Sequence, residues 1–169
     1  MRTKVDDRKA VEVLLFVTQQ VHDTYHVLKV LYFADKCHLE KYGRLIYGDS
    51  YVAMDQGPVP SLAYDIVKDA GGRKPRVQSV DAAGTFSIAD KYNIIPARKP
   101  NLDELSESDI ECLGEAMRKY GTMPKPILTK KSHEEKAFFE AAKNAYVPIE
   151  DIVGMLPDSA SILDYMRNY

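Results

Sequence analysis

The strongest constraint in this chain lies between Lys29 and Tyr64, where a helix pattern carries a polar pair inside its apolar stripe and then runs into chain-bending residues. Leu28, Leu31, Tyr32, Asp35, His38, Leu39 and Tyr42 recur at three- and four-residue spacing, which places them on one face of an α-helix. Gly43 is suited to close that helix, since glycine accepts the left-handed backbone of a C-terminal stop. Asp35 and His38 are therefore expected to be at least half buried. Tyr42-Gly43-Arg44, Gly48-Asp49, Tyr51-Val52-Ala53-Met54 and Gly57-Pro58-Val59-Pro60 follow directly. Glycine and proline fix backbone geometries that other residues adopt poorly, so this density of them marks a scaffold built to one shape.

A buried carboxylate is costly without hydrogen-bond donors, so Asp35 needs partners, and Arg44, His38 or loop N–H groups near Gly57 are the candidates. One reading makes the node a recognition or catalytic site with a perturbed histidine. The other makes it an internal brace pinning the strand and the Gly57–Pro60 loop against the helix, and this one is preferred, because structural ion-pair networks perturb titration as readily as active sites do. Catalytic templates fit poorly. His22 and His26 have the spacing of helical metal ligands but lack the glutamate of H-E-x-x-H, and His133-Glu134-Glu135 has no second histidine four residues on. No nucleophile elbow, phosphate-cradling loop or dinucleotide fingerprint occurs. The expectation is a non-enzymatic protein with no metal or cofactor; a small hydrolase or metal-dependent enzyme working through Asp35 and His38 is the remote alternative.

Elsewhere the periodicity predicts a first helix over Asp7–His22 and a third over Ser61–Ala70, entered through Pro60 and ended by Gly71-Gly72. The first two helices are expected to pair as a hairpin. Tyr51–Met54 reads as a short strand. Thr85–Ile88 and Tyr92–Ile95, separated by three residues, read as a hairpin. Ser106 with Asp109 three residues later predicts the start of a fourth helix that Gly121 closes. Shorter helices are expected over Pro124–Lys131, Glu134–Ala145, Ile149–Met155 and Ser159–Arg167. At 169 residues this makes one α+β, mainly α domain spanning 1–169: a compact multi-helix body with a small antiparallel hairpin or sheet between helices three and four.

A formal charge of -2 argues against nucleic acid as the main partner, because phosphate binding needs clustered positive charge. The apolar run Val11–Val17 is broken by Glu12 and no small-residue cleavage site follows it, so neither a signal peptide nor a membrane span is expected. Cys37 and Cys112 lack C-x-x-C spacing and read as reduced thiols of a cytoplasmic protein.

Lys29-Val30-Leu31-Tyr32-Phe33-Ala34-Asp35-Lys36, with His38, Tyr42-Gly43-Arg44, Gly48-Asp49, Tyr51–Met54, Gly57–Pro60 and Tyr64, resembles the signature of the Panacea domain, the SocA-like antitoxin family. Ser132-His133-Glu134-Glu135 is similar to a later Ser-His-Glu element of the same family. The resemblance implies an all-helical core carrying a small β-hairpin, in a bacterial or phage-encoded antitoxin of a toxin-antitoxin system, with phage defence as a setting. It implies direct protein–protein binding to a cognate toxin encoded beside it. It also implies, as the alternative, an adaptor delivering the toxin to a AAA+ protease. Asp35, His38, Arg44, Asp49, Gly57, Pro58, Pro60, Tyr64 and His133 form the expected structural or recognition node.

Two surfaces are candidates for partner binding. Ile162, Tyr165, Met166 and Tyr169 form a stripe at helical spacing on the last segment, which reads either as a docked terminal helix or as a partner-binding face. Arg73, Lys74 and Arg76 cluster before the hairpin, with Arg98 and Lys99 after it, and read either as solvated loops or as a contact for an acidic surface.

Overall fold

The structure is a computed structural model that describes residues 4–169. In chain order its elements are α1 (Asp7–Thr18), α2 (Thr24–Tyr42), β1 (Tyr51–Met54), β2 (Gly57–Pro60), α3 (Ser61–Ala70), α4 (Ala82–Thr85), β3 (Phe86–Ala89) and β4 (Asn93–Pro96). A 3-10 turn (Leu102–Glu104) then leads to α5 (Glu107–Tyr120), α6 (Lys125–His133), α7 (Lys136–Phe139), β5 (Tyr146–Val147), α8 (Ile149–Gly154) and α9 (Ser159–Asn168). The fold is α+β and mainly α, as its periodicity predicts.

Helix α2 is the axis. Val27 through Asp35 are buried without a break, and a helix enclosed on all sides is a central one. The Asp23 carboxylate caps its start by accepting the His26 N–H, and Gly43, in the left-handed conformation, closes it with an N–H donated to the Leu39 carbonyl. A side chain at Gly43 would also strike the Tyr165 ring, 2.5 Å from an ideal Cβ. The most extensive partner of α2 is α5, where Phe33 stacks on Tyr120 at 4.1 Å. Helix α1 packs beside α2 as expected, but it stops at Thr18, not His22. The Thr18 hydroxyl turns back onto the Leu14 carbonyl, and the connector pairs with β4, Thr24 N–H to the Tyr92 carbonyl and Ile94 N–H to the His22 carbonyl. His22 and His26 therefore do not share a helix.

Strand β1 lies at the middle of a three-stranded antiparallel sheet of order β2-β1-β5. Its register pairs Tyr51 with Pro60 and Met54 with Gly57 on one side, and Tyr51 with Val147 on the other. The sequence reads Gly57–Pro60 as a loop. It is an edge strand, the place where a sheet tolerates proline because no ladder N–H is demanded on the outer side. The β3–β4 hairpin sits between α3 and α5, one residue later than the pattern predicts, with Asp90 and Lys91 at positive φ in its turn. The helix expected over Glu134–Ala145 shortens to α7, because the chain beyond it pairs with β1: Asn144 N–H to the Ala53 carbonyl, and Ala53 N–H to the Ala145 carbonyl. No helix among the described residues is long and apolar enough to cross a membrane.

Candidate functional site

Asp35 is 2% exposed. Its Oδ1 accepts the Ile46 N–H at 2.8 Å and its Oδ2 accepts the Tyr51 hydroxyl at 2.6 Å. Those donors differ from the expected ones: neither Arg44, His38 nor the Gly57 loop meets Asp35. Residues three apart on a helix still diverge by about 60° in direction, so Asp35 addresses β1 and the 45–47 loop while His38 addresses α5. Burial raises the Asp35 pKa to about 7, against the pull of both donors.

His38 is fully buried. Its Nδ1 lies 2.9 Å from the Arg44 carbonyl and its Nε2 2.9 Å from the Ser108 hydroxyl. A carbonyl only accepts, so Nδ1 carries the proton and Nε2 accepts from Ser108. Burial lowers the imidazole pKa and favours this neutral form. With both nitrogens engaged inside the protein, the ring offers no lone pair to a substrate. It ties the end of α2 to the start of α5.

Arg44 completes that tie. Its Nη1 donates to the Leu45 carbonyl and its Nη2 to Ser106 Oγ and Asp109 Oδ1, both at 3.1 Å. Asp109 is fully buried and also receives Lys9 Nζ at 2.7 Å and the Ser106 N–H at 2.8 Å. Burial opposes its ionisation, but Lys9 and the Ser106 groups hold its carboxyl below the usual carboxylate range. The capping box expected from Ser106 and Asp109 is present, and its acid is also the junction of α1, α2 and α5.

Asp49 serves α3. Pro60 sits at the N-cap of that helix and has no side-chain acceptor, and the Asp49 carboxylate accepts the Leu62 and Ala63 N–H groups in its place, along with the Ser50 N–H and the Tyr47 hydroxyl. Gly57, at φ 101°, faces α6: an ideal Cβ there would lie 2.9 Å from Ser132 Cβ. The Pro58 carbonyl accepts Lys29 Nζ at 2.7 Å. Tyr64 is half-buried, with Lys68 Nζ 5.2 Å from its ring.

The Ser132–Glu135 segment acts through its outer members. Ser132 is buried and donates to the Leu128 carbonyl. Glu135 is buried, accepts the Tyr32 hydroxyl, and pairs with Lys36 Nζ at 2.8 Å. His133 is exposed, its ring 5.6 Å from that of Phe139, so it joins neither Asp35 nor His38. The Tyr32 ring meets Tyr51 and Phe138 edge-on, each at 5.2 Å. The chain Asp35–Tyr51–Tyr32–Glu135 thus runs from α2 through the start of β1 and back across α2 to the start of α7.

On the surface, the α9 stripe divides. Ile162 is buried and Met166 packs on the core, Tyr165 covers Gly43, and Tyr169 is 93% exposed, stacked on Tyr165 at 4.9 Å. Arg73 is bound to Asp65 and Asp69, at 3.1 and 2.8 Å, while Lys74 and Arg76 are exposed. Burial opposes ionisation of Asp69, but the Val77 N–H and the Arg73 guanidinium hold its pKa below the ordinary value.

Three central residues escape the sequence reading. Asp109 shows there only as a capping residue, Glu135 only as the tail of a motif, and Lys29 only as part of a signature. Lys29 carried a signal of its own: a lysine inside the otherwise apolar run Val27–Ala34 has no solvent face to occupy. Taken together, the buried acids and the imidazole are saturated by internal partners, and every buried polar side-chain atom among the described residues has a hydrogen-bond partner. Among the described residues no group of three or more His, Cys, Asp or Glu side chains is placed to hold a metal ion.

A family model described as antitoxin SocA-like, Panacea domain, matches residues 27–138, from the first turn of α2 into α7. That span holds Asp35, His38, Arg44, Asp49, Asp109 and Glu135 and leaves α8 and α9 outside. No curated protein and no solved structure matches the chain.

Proposed function

We propose that this chain, which belongs to the SocA-like antitoxin family defined by the Panacea domain, neutralises a toxin protein encoded beside it by binding that toxin directly. The observation that supports this most is the saturation of its buried acids and of its buried imidazole. Asp35, His38, Asp49, Asp109 and Glu135 all spend their hydrogen bonds on the protein's own backbone and side chains. Groups committed in that way hold a shape and perform no turnover, so the surface carries the function. The protein is then a rigid docking body working in the bacterial cytoplasm.

The test is to express the neighbouring reading frame in cells with and without this chain, score growth, and purify the complex through a tag on this protein. Rescue together with a co-purifying toxin supports neutralisation by binding. A folded, expressed chain that fails to rescue, or rescues with no complex, overturns it. Toxin that disappears only in cells retaining a AAA+ protease assigns the complex to delivery instead of occlusion.

A further inference from the structure

A groove of about 900 Å³ opens between the first half of α2, the β1–β2 turn, α3, the β3–β4 turn and the start of α6. Leu28, Val59, Val67 and Ile88 give it an apolar floor. Tyr25, Tyr64 and Tyr92 stand among six cationic side chains: Lys29, Lys68, Arg73, Lys91, Lys125 and Lys143. Two of these are neutralised within the protein, Lys143 by Asp55 at 3.1 Å and Arg73 by Asp65 and Asp69. Among the described residues no carboxylate lies within ion-pair distance of Lys29, Lys68, Lys91 or Lys125. This concentration of uncompensated charge belongs to a chain whose formal charge is -2.

Lys29 is the informative member. It is 1% exposed, yet its ammonium has one hydrogen-bond acceptor, the Pro58 carbonyl, and otherwise faces the Tyr25 ring at 5.4 Å, which Lys125 Nζ approaches at 4.8 Å. An ammonium carries three donors, and burying it without a counter-charge is expensive. A hydrophobic residue would serve packing better at this position. An acidic group arriving from outside would supply the missing charge.

We infer that this groove is the dock for an acidic, amphipathic segment of the protein partner, with apolar side chains on the floor and carboxylates on Lys68, Lys91, Lys125 and Lys29. This rests on the antitoxin reading above, under which that partner is the toxin. The lining favours a polypeptide over a nucleotide. At the start of α2 the Thr24 N–H is spent on the Tyr92 carbonyl and the His26 N–H on the Asp23 carboxylate, and the ammonium that helix brings to the groove is that of Lys29. The arginine fork best suited to phosphate is already committed to two aspartates. Apolar floor and tyrosine walls are the composition of a protein interface.

Burial lowers the Lys29 pKa to about 7, so a carboxylate that engages it draws a proton onto it. The charged and titratable groups around it are Tyr25 on its own helix, Asp55 at the β1–β2 turn, Lys143 on the segment between α7 and β5, Tyr64, Lys68 and Arg73 on and after α3, Lys91 and Tyr92 on the β-hairpin, and Lys125 on α6. The lining includes no histidine. Binding should therefore weaken as pH rises through 7, a dependence that an exposed lysine patch does not produce.

The test uses the full chain at 150 mM salt and a fluorescein-labelled peptide of alternating glutamate and leucine, with a glutamine–leucine peptide as control. The acidic peptide should bind, the control should not, and affinity should fall roughly tenfold between pH 6 and pH 8.5. The triple variant Lys68→Glu, Lys91→Glu, Lys125→Glu should bind at least tenfold more weakly with an unchanged melting temperature. Lys29→Met should remain folded and lose the pH dependence. Equal binding by the triple variant, equal binding of the control peptide, a pH-independent affinity in the wild type, or displacement by ATP at lower concentration than by unlabelled peptide each overturns the assignment. Growth rescue separates it from the antitoxin reading: rescue intact in the triple variant sinks the dock and leaves the antitoxin standing. Absent rescue by a wild type that binds the peptide sinks the toxin as partner and leaves the acidic-segment site.

Discussion

Replacing Asp35 with asparagine separates a brace from a reagent. In the fold, burial holds this carboxyl at a pKa of about 7, while in the unfolded chain it titrates near 3.8. Between those values the folded state keeps a proton that the unfolded state has lost, so wild-type stability falls as pH climbs from about 4 to about 7 and levels off above. At about 1.4 kcal/mol per pH unit, the whole fall is up to about 4 kcal/mol. Asparagine keeps an oxygen for the Ile46 N–H. Its amide must then donate toward Tyr51, whose own proton can turn to the Leu31 carbonyl, 3.4 Å away. That exchange costs about 1 kcal/mol. Wild type has already lost about 1 kcal/mol by pH 4.5, so Asp35→Asn should match its stability there and exceed it by about 3 kcal/mol at pH 8. Urea denaturation of both proteins at the two pH values reads this directly. His38 and the other acids titrate in both proteins and cancel in the difference. A variant destabilised equally at both pH values, or more at pH 8, would show an ionised Asp35 in the fold and refute the reasoning.

His38→Ala removes the ring that joins Arg44 and Ser108 and should cost about 2–4 kcal/mol in urea denaturation; a loss under about 0.5 kcal/mol contradicts the tie between α2 and α5. Gly57→Ala meets both a φ of 101° and Ser132 Cβ at 2.9 Å, so a destabilisation of about 2 kcal/mol is expected in the same assay, and a neutral outcome would mean that β2 and α6 are not held this closely. Cys37 and Cys112 place their sulfurs 3.1 Å apart, and burial pushes both thiols up. Iodoacetamide at pH 7.5 should then modify them at least about tenfold more slowly in native protein than in urea, as followed by mass spectrometry. Fast native labelling would contradict the burial.

What the sequence made legible is what local chemistry punctuates. Gly43, Pro60, Gly71 and Ser106 mark element ends through backbone geometry or a cap, and α2, α3 and α5 stop or start at those residues. The 140–145 stretch shows the limit. Its alanines and lysine favour helix, yet Asn144 turns to positive φ and the chain joins β1, a tertiary pairing that outweighs propensity. The need to satisfy Asp35 was readable from its place in an apolar stripe. Its partners were not, because Ile46 and Tyr51 lie beyond a loop whose path no periodicity records. Glu135 and Asp109 were hidden for the same reason: each meets partners about a hundred residues away in sequence, Tyr32 and Lys9.

The most direct measurement of the docking account is growth of cells that express the neighbouring toxin together with Asp35→Asn protein of verified fold. Rescue equal to wild type, with toxin co-purifying in fixed stoichiometry, is the predicted result. A variant that folds and still holds the toxin, yet no longer protects the cell, would make Asp35 a reagent and contradict the account.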